Sequence, residues 1–74
     1  MQYTLAVFRA RNETITFATL LRSYKINAQI VNTPRKISVS CGISVKFSSS
    51  AQDMAQQLLQ RRKFETFVGF FKTN

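Results

Sequence analysis

The apolar residues of this chain recur with period two, then about 3.6, then two, two, 3.6 and two, and that order leaves few folds open. Residues 2–10, QYTLAVFRA, alternate: Tyr3, Leu5 and Val7 point one way and Ala6 and Phe8 the other. Apolar residues on both faces predict a central strand. Asn12 offers a cap for a helix over about 13–25, with Glu13 at its positive end. That helix would bury Phe17, Leu20, Leu21 and Tyr24, and with no glycine to close it Asn27 is the expected left-handed residue. Residues 28–32 make a short strand ended by Thr33-Pro34. In PRKISVSCGISVKF, residues 34–47, every second residue from Ile37 to Phe47 is apolar, Val39, Cys41, Ile43 and Val45 included. The pattern reads as a third strand. It outruns its partner, so part of 35–41 reads equally as an ordered loop, with Gly42 as a bulge between the two parts. Ser50 and Asp53 suit a capping box before a helix carrying Ala51, Met54, Ala55, Leu58 and Leu59, which ends in Arg61, Arg62 and Lys63. Residues 64–72, FETFVGFFK, supply the last strand, weakened at Gly69.

The order β-α-β-β-α-β predicts an α+β, ferredoxin-like two-layer sandwich: an antiparallel four-stranded sheet with both helices on one face and the first and third strands central. The 74 residues make one domain, 1–74, with a thin core. On the last strand strict alternation puts Phe67 and Phe71 on one side and Val68 and Phe70 on the other, with Phe8 expected to join the uncovered face. An apolar patch there predicts homodimerisation through the open sheet.

Composition narrows function. Histidine is absent, the carboxylates are Glu13, Asp53 and Glu65 alone, and Cys41 is the single cysteine. Cys–His and Ser–His dyads are therefore excluded, and zinc or iron–sulfur sites lack ligands, so neither a self-sufficient enzyme nor a resident cofactor is expected. The apolar run 5–8 is short and ends at Arg9, unlike a signal peptide, and no run approaches a membrane span; a cytoplasmic location is expected. The net charge of +8 predicts attraction to acidic partners or polyanions. An RNA-recognition reading needs rings where the third strand carries Ile43 and Val45, so only nonspecific nucleic-acid binding through scattered cations (Arg9, Arg11, Arg35, Lys36, residues 61–63) is left.

Cys41 admits two readings. Its place in the alternation favours burial as a small hydrophobe. Against that, Gly42 removes a side chain beside the sulfur, Ser38 and Ser40 offer hydroxyls, and Arg35, Lys36 and Lys46 are cations of the kind that enrich a thiolate.

The stretch T-P-R-K-I-S-V-S-C-G-I-S-V-K-F, residues 33–47, resembles the signature of a small bacterial family of selenium/sulfur-carrier-like proteins: Thr-Pro-Arg, an Ile-Ser-rich segment, then Cys-Gly at a fixed separation and a Val-Lys-Phe-like strand. The resemblance extends more loosely over the whole chain. It implies a carrier whose Cys41 holds sulfur or selenium, taking it from a cysteine desulfurase-like donor and passing it to an acceptor protein. Arg35 falls on the arginine of the motif; Arg35 and Lys36 would meet the anion and an acidic partner, Gly42 would leave room for the partner's sulfur, and Pro34 would stiffen the loop. Two positions depart from the pattern: Lys25, where a glycine would close the first helix, and Lys36, where an acidic residue is common. The competing expectation is a dimeric interaction module, or a basic nucleic-acid-binding one, with a structural cysteine.

Overall fold

The computed structural model describes residues 2–37 and 42–73. Its elements run β1 (Tyr3–Phe8), α1 (Arg11–Ser23), β2 (Ala28–Asn32), β3 (Ile43–Ser48), a short 3₁₀ turn (Ser49–Ala51), α2 (Gln52–Arg61) and β4 (Phe67–Thr73). The strands form one antiparallel sheet in the order β2-β3-β1-β4, so β1 and β3 are central. This is the ferredoxin-like arrangement.

The core lies between the sheet and the helices. Ala6 and Phe8 of β1 meet Val45 and Phe47 of β3, Ala28 of β2, Phe17, Ala18 and Leu21 of α1, and Ala55 and Leu58 of α2. Phe8 is fully buried on this side, not on the uncovered face. Its ring lies 5.3 Å from that of Phe17, 5.4 Å from Phe64 and 5.2 Å from Phe67, centroid to centroid. The three rings are tilted by 52–58° to Phe8, and Phe17 and Phe64 meet edge to face at 88°, an arrangement the ring quadrupole favours. Tyr24 and Met54, expected inside, are exposed at the margins of their helices.

β4 breaks strict alternation. Val7 pairs with Gly69 but Phe8 pairs with Phe67, so Val68 is an extra, bulged residue. The bulge returns Phe67 to the core side, where it packs on Phe70 with centroids 5.0 Å apart, while Phe71, paired with Leu5, faces the other way. The bulge thus sits at Val68 rather than at Gly42. β4 begins at Phe67, and Phe64 serves as a core residue ahead of it.

Both helices start without the expected caps. α1 begins at Arg11 with Ala10 at the N-cap, and no side chain there accepts a backbone hydrogen. Glu13 instead reaches to the segment before β4: its carboxylate accepts the backbone N–H of Glu65 at 3.0 Å, that of Thr66 at 2.9 Å, and the Thr66 hydroxyl. Thr66 in turn accepts the Ala10 N–H on its hydroxyl oxygen and the Arg9 N–H on its carbonyl. At α2 the chain enters through the 3₁₀ turn, with Ser50 exposed; Ser49 and Gln52 share the buried hydroxyl of Thr4.

Burial pushes the Glu13 carboxyl up, yet the hydrogen bonds from the Thr66 side chain and from the Glu65 and Thr66 backbone outweigh it and hold the group below its ordinary value of 4.5. A pKa depressed in the folded state contributes stability above the unfolded value, and that contribution is lost as pH falls through the folded one. Glu13→Gln should therefore cost about 1 kcal/mol near neutral pH, in line with hydrogen bonds to a partly exposed charged group. Thermal melts of the two proteins should converge on acidification below the ordinary glutamate range. A gap independent of pH would show that the carboxylate charge is not what stabilises this junction.

α1 ends in a Schellman motif: the Ile26 N–H bonds to the Leu21 carbonyl and the Lys25 N–H to the Arg22 carbonyl. The left-handed residue is Lys25, at φ 62°, not Asn27. A side chain in this region costs about 1–2 kcal/mol. Lys25→Gly should therefore raise the melting temperature by roughly 4–8 °C, equivalent to about 1 kcal/mol after the extra entropy of an unfolded glycine is subtracted. A lower melting temperature would contradict this account of the helix end.

Candidate functional site

The segment between β2 and β3 carries the sequence-predicted site. β3 begins at Ile43, so the eleven-residue alternation is not one strand. Ile37 closes a turn in which its N–H bonds to the Pro34 carbonyl at 3.0 Å, placing Arg35 and Lys36 at the tip. Ile37 also lies on the wrong side for a continued strand. It borders Leu5 and Phe71 over the face without helices, whereas Val45 and Phe47 belong to the core on the other face. Residues 38–41 lie outside the described residues, and Cys41 is among them.

The neck of this segment is held from both sides. The Thr33 N–H donates to the Gly42 carbonyl at 2.8 Å, and the Thr33 hydroxyl bonds to the hydroxyl of buried Ser44 on β3. Thr33 and Gly42, at the two ends of the connection, therefore meet in space. Thr33 is the positioning residue that sequence reasoning missed; its signal was the threonine preceding the proline. Gly42 is exposed, its φ is not positive, and a Cβ built there would meet nothing within 4 Å. Neither backbone nor neighbouring atoms demand glycine at this position.

Pro34, Arg35 and Lys36 are exposed and form one wall of a cleft of about 570 Å³. The opposite wall is the end of β4, with Phe71, Lys72 and Thr73, and Leu5 lies beneath. The structure thus brings Pro34, Arg35 and Lys36 together with Lys72, which the sequence did not single out, and places Gly42 at the neck instead. The face without helices is also less bare than expected. Leu5 is only 3% exposed and Val7 is fully buried within the single chain. On this face β3 presents Ser44 and Lys46, paired with Val7 and Leu5 of β1, and the Lys46 ammonium sits 4.4 Å above the Tyr3 ring. Val45 points into the core, and β3 offers no ring for stacking a base.

No helix among the described residues is long and apolar enough to cross a membrane. No curated protein and no solved structure matches the chain. Residues 3–67, including the whole connection from Thr33 to Gly42, match a family described as "Putative Se/S carrier protein-like". With the strand order of the fold in place, the motif ends joined through Thr33 and most of the chain matched, this protein belongs to the Se/S carrier protein-like family.

Proposed function

We propose that the protein is a carrier of activated sulfur or selenium, with Cys41 as the atom that holds the cargo. The family match across the motif carries this reading; the exposed, sterically undemanding Gly42 supports it, because a visiting sulfur needs room beside its target. The Cys41 thiolate attacks the terminal sulfur of a donor persulfide, such as that of a cysteine desulfurase. The donor's S–S bond breaks, the donor cysteine leaves as a thiolate, and Cys41 becomes a persulfide. An acceptor nucleophile then takes the terminal sulfur and Cys41 leaves as thiolate, so the two steps exchange bonds without an outside oxidant or reductant. Transfer of this kind is fastest for a thiol with a pKa near ambient pH, and Arg35 and Lys36 are the cations assigned to favour the thiolate and meet an acidic partner. Pro34 restricts the turn, so less order is lost on docking. Sulfur loading tests the reading: the folded chain should gain one reducible sulfur from a desulfurase, and Cys41→Ser should gain none.

The competing reading is an interaction module with a buried structural cysteine, in which Cys41→Ser would cost stability and leave partner binding intact. Nucleic-acid binding rests on diffuse charge alone.

A further inference from the structure

We infer that the cleft between the 34–37 turn and β4 is where the carrier's protein partner docks, and that the docking element is an acidic segment bearing one bulky apolar side chain. This rests on the carrier reading, which requires a macromolecule to approach the turn.

The cleft has an apolar floor of Leu5, Ile37 and Phe71, a cationic rim of Arg35 and Lys36, and the end of β4 as its other side. Among the described residues no carboxylate lines it. Both rim cations are exposed while Ile37 and Phe71 are half-buried, so the cleft is open on its solvent side. A small ligand there would stay half in water. A protein segment would close the opening, burying an apolar anchor while its carboxylates meet the rim, the usual plan of an interface hot spot surrounded by polar contacts. β4 is an edge strand, so its outer backbone groups beside the cleft are available to an extended segment.

Charge also discriminates among occupants. A second copy carries only Glu13, Asp53 and Glu65 against 11 lysines and arginines, so at a net charge of +8 it is repelled by the rim. Single-stranded nucleic acid has the right sign of charge, but it needs successive stacking rings. The cleft offers one, Phe71, and Lys46 covers a face of Tyr3.

The test uses the full chain and a fluorescein-labelled peptide with two glutamates on each side of one phenylalanine, followed by fluorescence polarisation. Binding should be saturable and should weaken by at least about tenfold when the peptide's phenylalanine becomes alanine, the loss expected of a hot-spot anchor. Arg35→Glu and Lys36→Glu combined should weaken it by at least as much without changing the melting temperature, because both side chains are exposed. Equal binding of both peptides would overturn the proposal by reducing the cleft to diffuse charge. Displacement of the peptide by a mixed-sequence oligonucleotide at lower concentration would assign the surface to nucleic acid, and a peptide-resistant dimer in sedimentation would assign it to a second copy; either overturns it. The two readings fail separately: Cys41→Ser should keep peptide binding, and Phe71→Ala should lose it while sulfur loading from a small polysulfide survives.

Discussion

Cys41→Ser should abolish sulfur transfer to an acceptor while shifting the melting temperature by no more than a degree or two. The hydroxyl is not a nucleophile toward sulfane sulfur at neutral pH, and no other thiol exists in the chain. The small change in stability follows from the carrier reading: a thiol that hands on cargo must stand open to its partners, so exchanging its sulfur for oxygen removes no core packing. If Cys41 were instead core, the same substitution would place a hydroxyl among apolar groups and cost about 1–3 kcal/mol when left without a partner. That is a loss of roughly 4–8 °C or more for a domain of this size. Transfer assays and thermal melts of one variant therefore separate the carrier from the interaction module. A stable Cys41→Ser protein that still passes sulfur would remove Cys41 from the mechanism.

Phe8→Ala should lower the melting temperature by at least about 12 °C. Truncating a buried phenylalanine costs about 3–5 kcal/mol, and a domain of 74 residues holds roughly 4–11 kcal/mol in total. Phe8 is the ring on which Phe17 of α1, Phe64 ahead of β4 and Phe67 of β4 converge, so its loss disconnects three segments at once. Phe71→Ala, on the opposite face and half-buried, should cost clearly less. Circular dichroism melts of both variants check the order. A Phe8→Ala protein as stable as Phe71→Ala would contradict the placement of the core.

Most of the architecture was readable from periodicity, because each element carries its own apolar repeat: Leu5 and Val7 against Ala6 and Phe8 on β1, Phe17 and Leu21 on α1, Ala55 and Leu58 on α2. What could not be read depends on partners distant in sequence. Glu13 looked like help for a local cap, but its hydrogen bonds go to residues 65 and 66. Phe67 and Phe70 share a face only because the register between β1 and β4 slips at Val68. Ile37 kept the parity of the strand that follows it although it belongs to a turn, and alternation in sequence cannot distinguish the two. At the site, the Thr-Pro-Arg and Cys-Gly pair and the cations beside it were visible. The hydrogen bond that joins Thr33 to Gly42 was not, nor was the approach of the end of β4, which brings Phe71 to the cleft. The glycine that the family pattern expects at position 25 has a physical reason here, since Lys25 takes the left-handed conformation itself.

The whole account turns on a thiol that a donor enzyme can reach. The most direct measurement is the intact mass of the native chain after incubation with a cysteine desulfurase and cysteine, recorded before and after a reductant. The account predicts a fraction of the protein heavier by one sulfur atom, returned to the starting mass by the reductant. An unchanged mass, with a desulfurase shown to be active on another acceptor in the same mixture, would contradict it.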